Sequence, residues 1–431
     1  MAITFESWGR YSKGVQEELL LQGGTGAFPA SGAESYLPIG QGRSYGDVCL
    51  NFGGAVIHTR RLNRLIQFDP NRGLLTCEGG VTLAEVLEFA IPRGWFLPVT
   101  PGTKYVSVGG AIANDVHGKN HHRRGAFGCF VRDLVLLRSD DSQLRCAPNE
   151  NPELFSATIG GLGLTGIIVS ATMQLKKIVS SFIAVESVKF SNLEEFFAIS
   201  KDAHSRFEYT VSWLDCIAKD RNFGRGIFMG GNHSVAESLQ VCRGGVKLSI
   251  PFNVPGIFLK TPTMKFFNAM YYRKQFKKRV FSTVSYDPFF YPLDSVLYWN
   301  RLYGKNGFFQ FQCILDRDGV RRILLDIVTS GAGSFLAVLK EFGSIPSPGM
   351  MSFPKPGVSL SLDFANQGPK TVALLKRLDA FVRENGGRVY PGKDVIMAPE
   401  SFRRYFPRWE EFSKHIDPKF SSSFWRRVTA S

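Results

Sequence analysis

The sequence predicts an α+β protein of two domains, and three observations carry that prediction. Short β-type runs broken by glycine occupy residues 35–176, and one strong helix signal sits among them. Past residue 177 the composition shifts to aromatic-rich segments, some with strict polar/apolar alternation. With 431 residues, 44% of them hydrophobic and 37 of them phenylalanine, the chain can fill two or three packed cores, and disorder is not expected.

Residues 55–58, 74–78 and 166–175 are rich in β-branched and aliphatic side chains and read as strands. Between them, Thr82 and Glu85 form a capping box ahead of the apolar run 83–90, so a helix starts after Thr82. Arg93-Gly94-Trp95 ends it. In residues 307–315, alternation places Gln310 and Gln312 on one face and Phe309 and Phe311 on the other. In residues 358–364, Ser359, Ser361 and Asp363 share a face. Two such polar faces could line a cavity, or they belong to a half-solvated sheet; alternation alone does not choose.

The formal net charge of +15 favours polyanions, anionic lipid surfaces or phosphorylated substrates. No basic tail or zinc-type spacing points to nucleic acid, which is the weaker reading. Residues 249–279 interleave Phe252, Phe258, Leu259, Phe266, Phe267, Tyr271 and Tyr272 with Lys260, Lys265, Arg273, Lys274, Lys277, Lys278 and Arg279. That mixture suits contact with an anionic membrane or a lipid substrate; the alternative is a surface helix whose aromatics face the core. The seven cysteines are scattered singly, as expected of reduced thiols in a cytosolic protein rather than of a disulfide frame. No signal peptide or membrane-spanning run is evident, so the expected location is cytoplasmic with peripheral membrane contact.

Two glycine-rich loops about seventy residues apart carry the chemistry. One is Pro38-Ile39-Gly40-Gln41-Gly42-Arg43-Ser44-Tyr45-Gly46-Asp47. The other is Gly109-Gly110-Ala111-Ile112-Ala113-Asn114-Asp115-Val116-His117-Gly118-Lys119-Asn120-His121-His122, with three of the chain's seven histidines. Glycine lets backbone N–H groups approach a phosphate, and histidine and lysine bind anions or move protons. The first loop misses Gly-x-Gly-x-x-Gly spacing by one residue, no clear helix follows it, and no Walker lysine appears. The loops therefore hold a dinucleotide in some other way, or they hold nothing.

The pairing of the first loop with Pro101-Gly102-Thr103, residues 108–113 and His117-Gly118-Lys119 resembles the vanillyl-alcohol-oxidase type of FAD-binding oxidoreductase. More narrowly, the chain resembles the decaprenylphosphoryl-β-D-ribose 2′-oxidase family. Matches run nearly end to end: residues 117–122, Tyr291-Pro292-Leu293-Asp294, Trp299-Asn300-Arg301, residues 307–312 and residues 390–394. The resemblance implies a PCMH-type FAD-binding domain at residues 1–178 and a substrate domain on an antiparallel sheet at 179–387. A C-terminal segment, 388–431, would return to the first domain. It also implies FAD-dependent oxidation of the 2′-hydroxyl of a polyprenylphosphoryl ribose to the keto sugar. A separate NAD(P)H-dependent keto-reductase would then complete epimerisation to arabinose. Oxidases that attach FAD covalently carry histidine near position 43; Arg43 implies noncovalent FAD.

By resemblance, FAD is surrounded by Ile39, Gly40, Gln41, Gly42, Arg43, Ser44, Tyr45, Gly46 and Asp47, and by Gly102, Ser107, Val108, Gly109 and Gly110. Asn114 and His117 follow, with Ile167 at the adenine end and Tyr390 at the ring. Lys393 matches the family's essential lysine, and His117, Lys119 and Tyr45 are catalytic candidates beside it. Tyr291, Gln312, Lys340, Ser359 and Ser361 fall on the substrate side. His117 either handles a proton or only shapes the pocket, and Gln312 and Tyr291 are equally readable as core polar groups bonded internally. Ser361 replaces a pocket cysteine of the family and Ser359 an asparagine, so thiol-directed covalent inhibitors lose their target. The alternatives are a soluble alditol or aldonolactone oxidase of the same superfamily, and a flavin-free lipid-glycan carrier. His121 and His122 match the pattern without an assigned role.

Overall fold

The computed structural model describes residues 2–22, 27–236, 239–241, 248–254 and 261–430. A four-stranded sheet, order β1-β2-β4-β3, joins Ala2–Glu6 (β1), Lys13–Leu20 (β2), Tyr36–Ile39 (β3) and Ala55–His58 (β4). β4 runs parallel to both neighbours, and its Ala55, Val56 and Ile57 are fully buried, the continuous apolar pattern of a covered parallel strand.

A second sheet, order β5-β6-β10-β8-β9, joins Leu65–Asp69 (β5), Leu74–Glu78 (β6), Val131–Leu137 (β8), Gln143–Cys146 (β9) and Ile167–Gln174 (β10). Trp95–Phe96 (β7) and Lys176–Lys177 (β11) form a separate antiparallel pair. Between β6 and β7 lies Leu83–Ala90 (α1), with the Thr82/Glu85 capping box in place and Leu83, Val86, Leu87 and Ala90 buried. Val108–Ala113 (α2) starts at Ser107, whose hydroxyl accepts from the Gly110 amide, and His121–Arg124 (α3) follows.

The third sheet has eight antiparallel strands in the order β16-β12-β14-β13-β19-β20-β18-β21. They are Phe182–Phe190 (β12), Tyr209–Leu214 (β13), Gly226–His233 (β14), Arg279–Ser285 (β16), Phe308–Leu315 (β18), Ala337–Phe342 (β19), Gly357–Ala365 (β20) and Arg388–Val389 (β21). Leu248–Ser249 (β15) and Val296–Leu297 (β17) pair in parallel outside it. In β18, Phe309 and Phe311 join the core that contains Ile323 and Leu378, from the helices Arg317–Ser330 and Pro369–Glu384. Gln310 sits opposite Asp363 of β20, and Gln312 opposite Ser361. All four are buried, so these faces wall a cavity and the half-solvated alternative is set aside.

After β21 comes one tight turn, Pro391–Lys393, and then helices Pro399–Tyr405, Trp409–Ser413 and Ser423–Thr429. The last of these lies against residues 47–49, and the Tyr36 amide donates to the Lys419 carbonyl at 2.8 Å. Among the described residues no helix is long and apolar enough to cross a membrane. Six cysteines are free thiols; Cys242 lies outside the described residues.

Phe258, Leu259 and Lys260 also lie outside the described residues. On the helix Thr261–Arg273, Met264 and Asn268 are buried, while Phe266 is 70% exposed and Phe267 and Met270 are also open. Phe276 at 94% and Phe281 at 70% extend the apolar surface beyond the helix. Only part of this segment's apolar side faces the core.

Candidate active site

A cavity of about 1200 Å³ runs from the two glycine loops to the polar face of β18–β20. Residues 38–45, 101–103 and 109–110 line it, together with Gln310, Gln312, Lys340, Ser361 and Lys393. The amides of Gly109 and Gly110 are not free for a phosphate. They donate to the Gly79 carbonyl at 2.7 Å and to Ser107 Oγ at 3.2 Å. In loop 40–44, Gly42 adopts φ +60°, and none of the loop's amides donates to a group among the described residues. Successive unengaged amides around a left-handed glycine form an anion-binding concavity. The residues fit FAD: a long cavity, a ready phosphate cradle, and buried Arg43 Nε, Asn114 Oδ1 and His117 Nδ1 without protein partners among the described residues.

Lys393 reaches the cavity because its turn is held from two sides. The Tyr390 amide donates to the Gln312 carbonyl of β18 at 2.9 Å, and the Tyr45 amide donates to the Gly392 carbonyl at 3.1 Å. Gly46 packs so closely on this turn that a Cβ there would overlap the Asp394 carbonyl oxygen. Gly46→Ala is therefore expected to lower Tm and release FAD, measured by thermal melt and by the flavin absorbance retained after gel filtration. A variant that melts and retains flavin like the parent would contradict this packing.

The chemical end of the cavity is crowded with cationic groups. Burial, with the Lys340 charge nearby, lowers Lys119 to about 7; burial lowers Lys340 to about 8. Burial and then Lys340 lower Lys393, while Asp363 pulls the other way. Burial, with Lys340 and Lys393 adding, holds His117 well below the ordinary imidazole range, so it is neutral at pH 7. The Gln312 amide donates to His117 Nε2 at 2.8 Å and to Ser359 Oγ at 3.0 Å, which holds the ring and leaves its hydrogen on Nδ1. The carboxylate of Asp363 accepts from Gln310 Nε2 at 2.5 Å and from the Tyr303 hydroxyl at 3.2 Å. Tyr45 is kept protonated by burial and hydrogen-bonds Gln310, and Lys393 Nζ lies 5.5 Å from its ring centre.

The structure brings Lys393, His117, Lys119 and Tyr45 to one cavity with Ile39, Gly40, Gln41, Gly42, Arg43, Ser44, Gly102, Ser107, Gly109, Gly110, Asn114 and Tyr390. Gln312, Lys340 and Ser361 also line it. Several expected residues stand off the wall. Tyr291 is 1% exposed, and its hydroxyl is shared with Thr100 Oγ1 at 2.6 Å, so it braces the core rather than facing substrate. Ser359 sits behind Gln312. Ile167 belongs to a core cluster and Ile168 lines the cavity in its place. Val108 is fully buried in the core, and Gly46 and Asp47 back the loop; Asp47 is bound by Arg427 at 2.8 Å. Gln310, Asp363 and Arg427 were not among the expected site residues. Alternation had already put Gln310 and Asp363 on the polar faces, but nothing local marked Arg427.

The FAD binding domain family matches residues 30–147. Decaprenylphosphoryl-beta-D-ribose oxidase of Mycolicibacterium smegmatis is 34% identical over 420 residues, 92% of this chain and 90% of the relative. The chain belongs to the decaprenylphosphoryl-β-D-ribose oxidase family. It is an FAD-dependent oxidoreductase of α+β fold. An uncharacterized protein in the mprA 5′ region of Streptomyces coelicolor is 29% identical over 81% of this chain and 100% of its own length. L-gulonolactone oxidase of Mus musculus is 29% identical over 36% of this chain and 34% of its own. The likeness to the lactone oxidase thus covers about a third of each protein, whereas the likeness to the decaprenylphosphoryl-ribose oxidase covers nine-tenths of each.

Proposed function

We propose that this protein oxidises the 2′-hydroxyl of a polyprenylphosphoryl-β-D-ribose to the 2′-keto sugar, using noncovalently bound FAD. The observation that carries the reading is a single cavity that joins the phosphate cradle of loop 40–44 to Lys119, Lys340 and Lys393. It continues to an apolar and aromatic mouth. Phe267, Tyr271, Leu297 and Tyr298 line that mouth, and Phe266, next to Phe267 in the chain, is exposed. A lysine-rich wall suits a phosphoryl sugar, and the mouth suits a prenyl tail presented at an anionic membrane surface. The aldonolactone alternative leaves that surface without a use.

Bound FAD supplies the acceptor for the hydride that leaves the sugar carbon. The neutral His117 ring takes the hydroxyl proton on Nε2, the nitrogen that accepts from Gln312 until the substrate hydroxyl replaces that amide. Lys119 and Lys340 hold sugar and phosphate oxygens, and the Lys393 cation stabilises negative charge that develops beside it. Tyr45 stays protonated and positions Lys393 through its ring. The 2′-keto product calls for a separate NAD(P)H-dependent reductase to reach the arabinose form.

Anaerobic mixing with polyprenylphosphoryl ribose is expected to bleach the flavin absorbance, and free alditols are expected to leave it unchanged. The opposite pattern refutes the substrate assignment. Arg43, where other oxidases bond FAD to histidine, cannot form that bond. Acid precipitation is accordingly expected to leave flavin in the supernatant, and flavin in the pellet would refute noncovalent binding.

A further inference from the structure

His121 and His122 have no part in the site described above, yet both are buried. His121 is 1% exposed and stacks on Phe342 at 4.2 Å, and the same Phe342 ring meets His117 at 5.0 Å. His122 follows on α3, is 7% exposed, and its ring lies 4.7 Å from that of His204. The His204 side chain, on the helix Leu193–Arg206, is 44% exposed. Four of the chain's seven histidines thus form a file from the cavity wall to the surface.

His117 Nδ1, both nitrogens of His121 and His122 Nδ1 are buried without a hydrogen-bonding protein group among the described residues. Buried polar atoms in native proteins find partners in protein or ordered water, and their desolvation is otherwise costly. A purely apolar packing role at His121 would be served better by phenylalanine, which stacks equally well and buries no nitrogen. Four such atoms in one file point instead to a hydrated polar strip.

We propose that His117, His121, His122 and His204 relay the proton of the substrate hydroxyl from the cavity to solvent. The inference rests on the oxidation proposed above. With FAD bound, the hydride of the sugar C–H bond would pass to it as the O–H bond gives its proton to His117 Nε2 and the C=O bond forms. Each imidazole then accepts a proton on one nitrogen and releases one from the other, through ordered water where rings do not touch. His122 accepts on Nδ1 and releases the Nε2 proton that it otherwise gives to the Phe207 carbonyl at 3.1 Å, and His204 passes it to bulk buffer. Burial lowers His121 and His122 to about 4, so both are neutral at pH 7, with one donor and one acceptor nitrogen each. The charges around the file favour outward transfer. Lys340 and Lys393 face His117, and Lys340 faces His121 at the inner end. Glu208 and Arg123 face His122, and Glu341 lies 3.8 Å from His204 at the outer end.

The test is turnover of the holoenzyme in dilute buffer. His121→Phe is expected to slow it by about tenfold, with KM unchanged, and added imidazole is expected to restore most of the loss. An unchanged rate, or a loss that no small buffer restores, overturns the relay. If His121→Phe fails to hold FAD, His204→Ala at the exposed end serves in its place. It is expected to show a smaller loss and the same buffer response; a rate and solvent isotope effect equal to the parent's overturn the proposal. A parent enzyme whose flavin is not bleached by polyprenylphosphoryl ribose refutes the substrate assignment alone. The relay is then read from proton uptake on dithionite reduction of the bound FAD. His121→Phe should delay that uptake in a buffer-dependent way, and no delay overturns the relay.

Discussion

Replacing Lys393 by alanine is expected to lower turnover by about 10²–10³-fold while FAD remains bound. The phosphate cradle that retains the cofactor is made of the amides of loop 40–44, whereas Lys393 comes from the separate turn Pro391–Lys393 that packs beside Tyr45. Removing the side chain also removes a buried cation that faces Lys340, so the fold loses an electrostatic cost and Tm should not fall. The pH dependence separates a cationic role from a packing role. A lysine lowered from its ordinary 10.5 is charged at low pH and loses that charge earlier as pH rises. Activity that depends on the cation is therefore present on the acid side and lost towards alkaline pH, and Lys393→Ala should lack that alkaline limb. Lys340, lowered to about 8, adds a second loss, read as a rise in KM for the phosphorylated substrate above that pH. Steady-state rates across pH, with retained flavin measured on the same samples, check both points. A Lys393→Ala enzyme with near-parent turnover would remove Lys393 from the mechanism.

Replacing Arg427 by methionine is expected to cost about 3–5 kcal/mol of stability, because it strips the counter-ion from two buried carboxylates. The guanidinium donates to both oxygens of Asp47 at 2.8 Å, to Asp394 Oδ2 at 2.9 Å and to the Met397 carbonyl at 2.8 Å. Asp47 and Asp394 are 7% and 4% exposed, so water cannot replace what the arginine supplies. For domains of this size the loss corresponds to a Tm lower by on the order of 10 °C. The pH sign is opposite to that of an ordinary surface ion pair. Burial already raises Asp394 against the pull of Arg427, and without the arginine it rises further. The folded state then holds a proton that the unfolded state has released, so stability falls as pH rises and recovers as pH is lowered. Melting the variant across pH checks this, and an equal deficit at every pH would contradict it. Asp394 follows Lys393 directly, so flavin loading and turnover should fall together with Tm.

The periodicities that were legible are local ones. The Thr82/Glu85 capping box and the helix Leu83–Ala90 appear as read, as do β4 and β6. The alternation of residues 307–315 and 358–364 put Gln310, Gln312, Ser359, Ser361 and Asp363 on polar faces, and those faces pair across β18 and β20. What alternation could not tell was whether such a face meets water or a cavity, since both accept the same side chains. Tyr291 shows the limit from the other side: its type suits a substrate pocket, but its hydroxyl is spent on Thr100, 191 residues away in sequence.

The sequence by itself determined the glycine loops and, through the resemblance carried by motifs spread along the chain, the family and the need for FAD, because motif identity and order are properties of a linear string. Only the tertiary structure decided which loop has amides to offer, because the Gly109 and Gly110 amides are consumed by Gly79 and Ser107 while those of loop 40–44 are not. It also decided the charge state of the site. Lysines at 119, 340 and 393 are ordinary as letters, and become perturbed only when the fold buries all three beside His117. Charge interaction depends on distance and solvent exclusion, and neither is a property of a linear string.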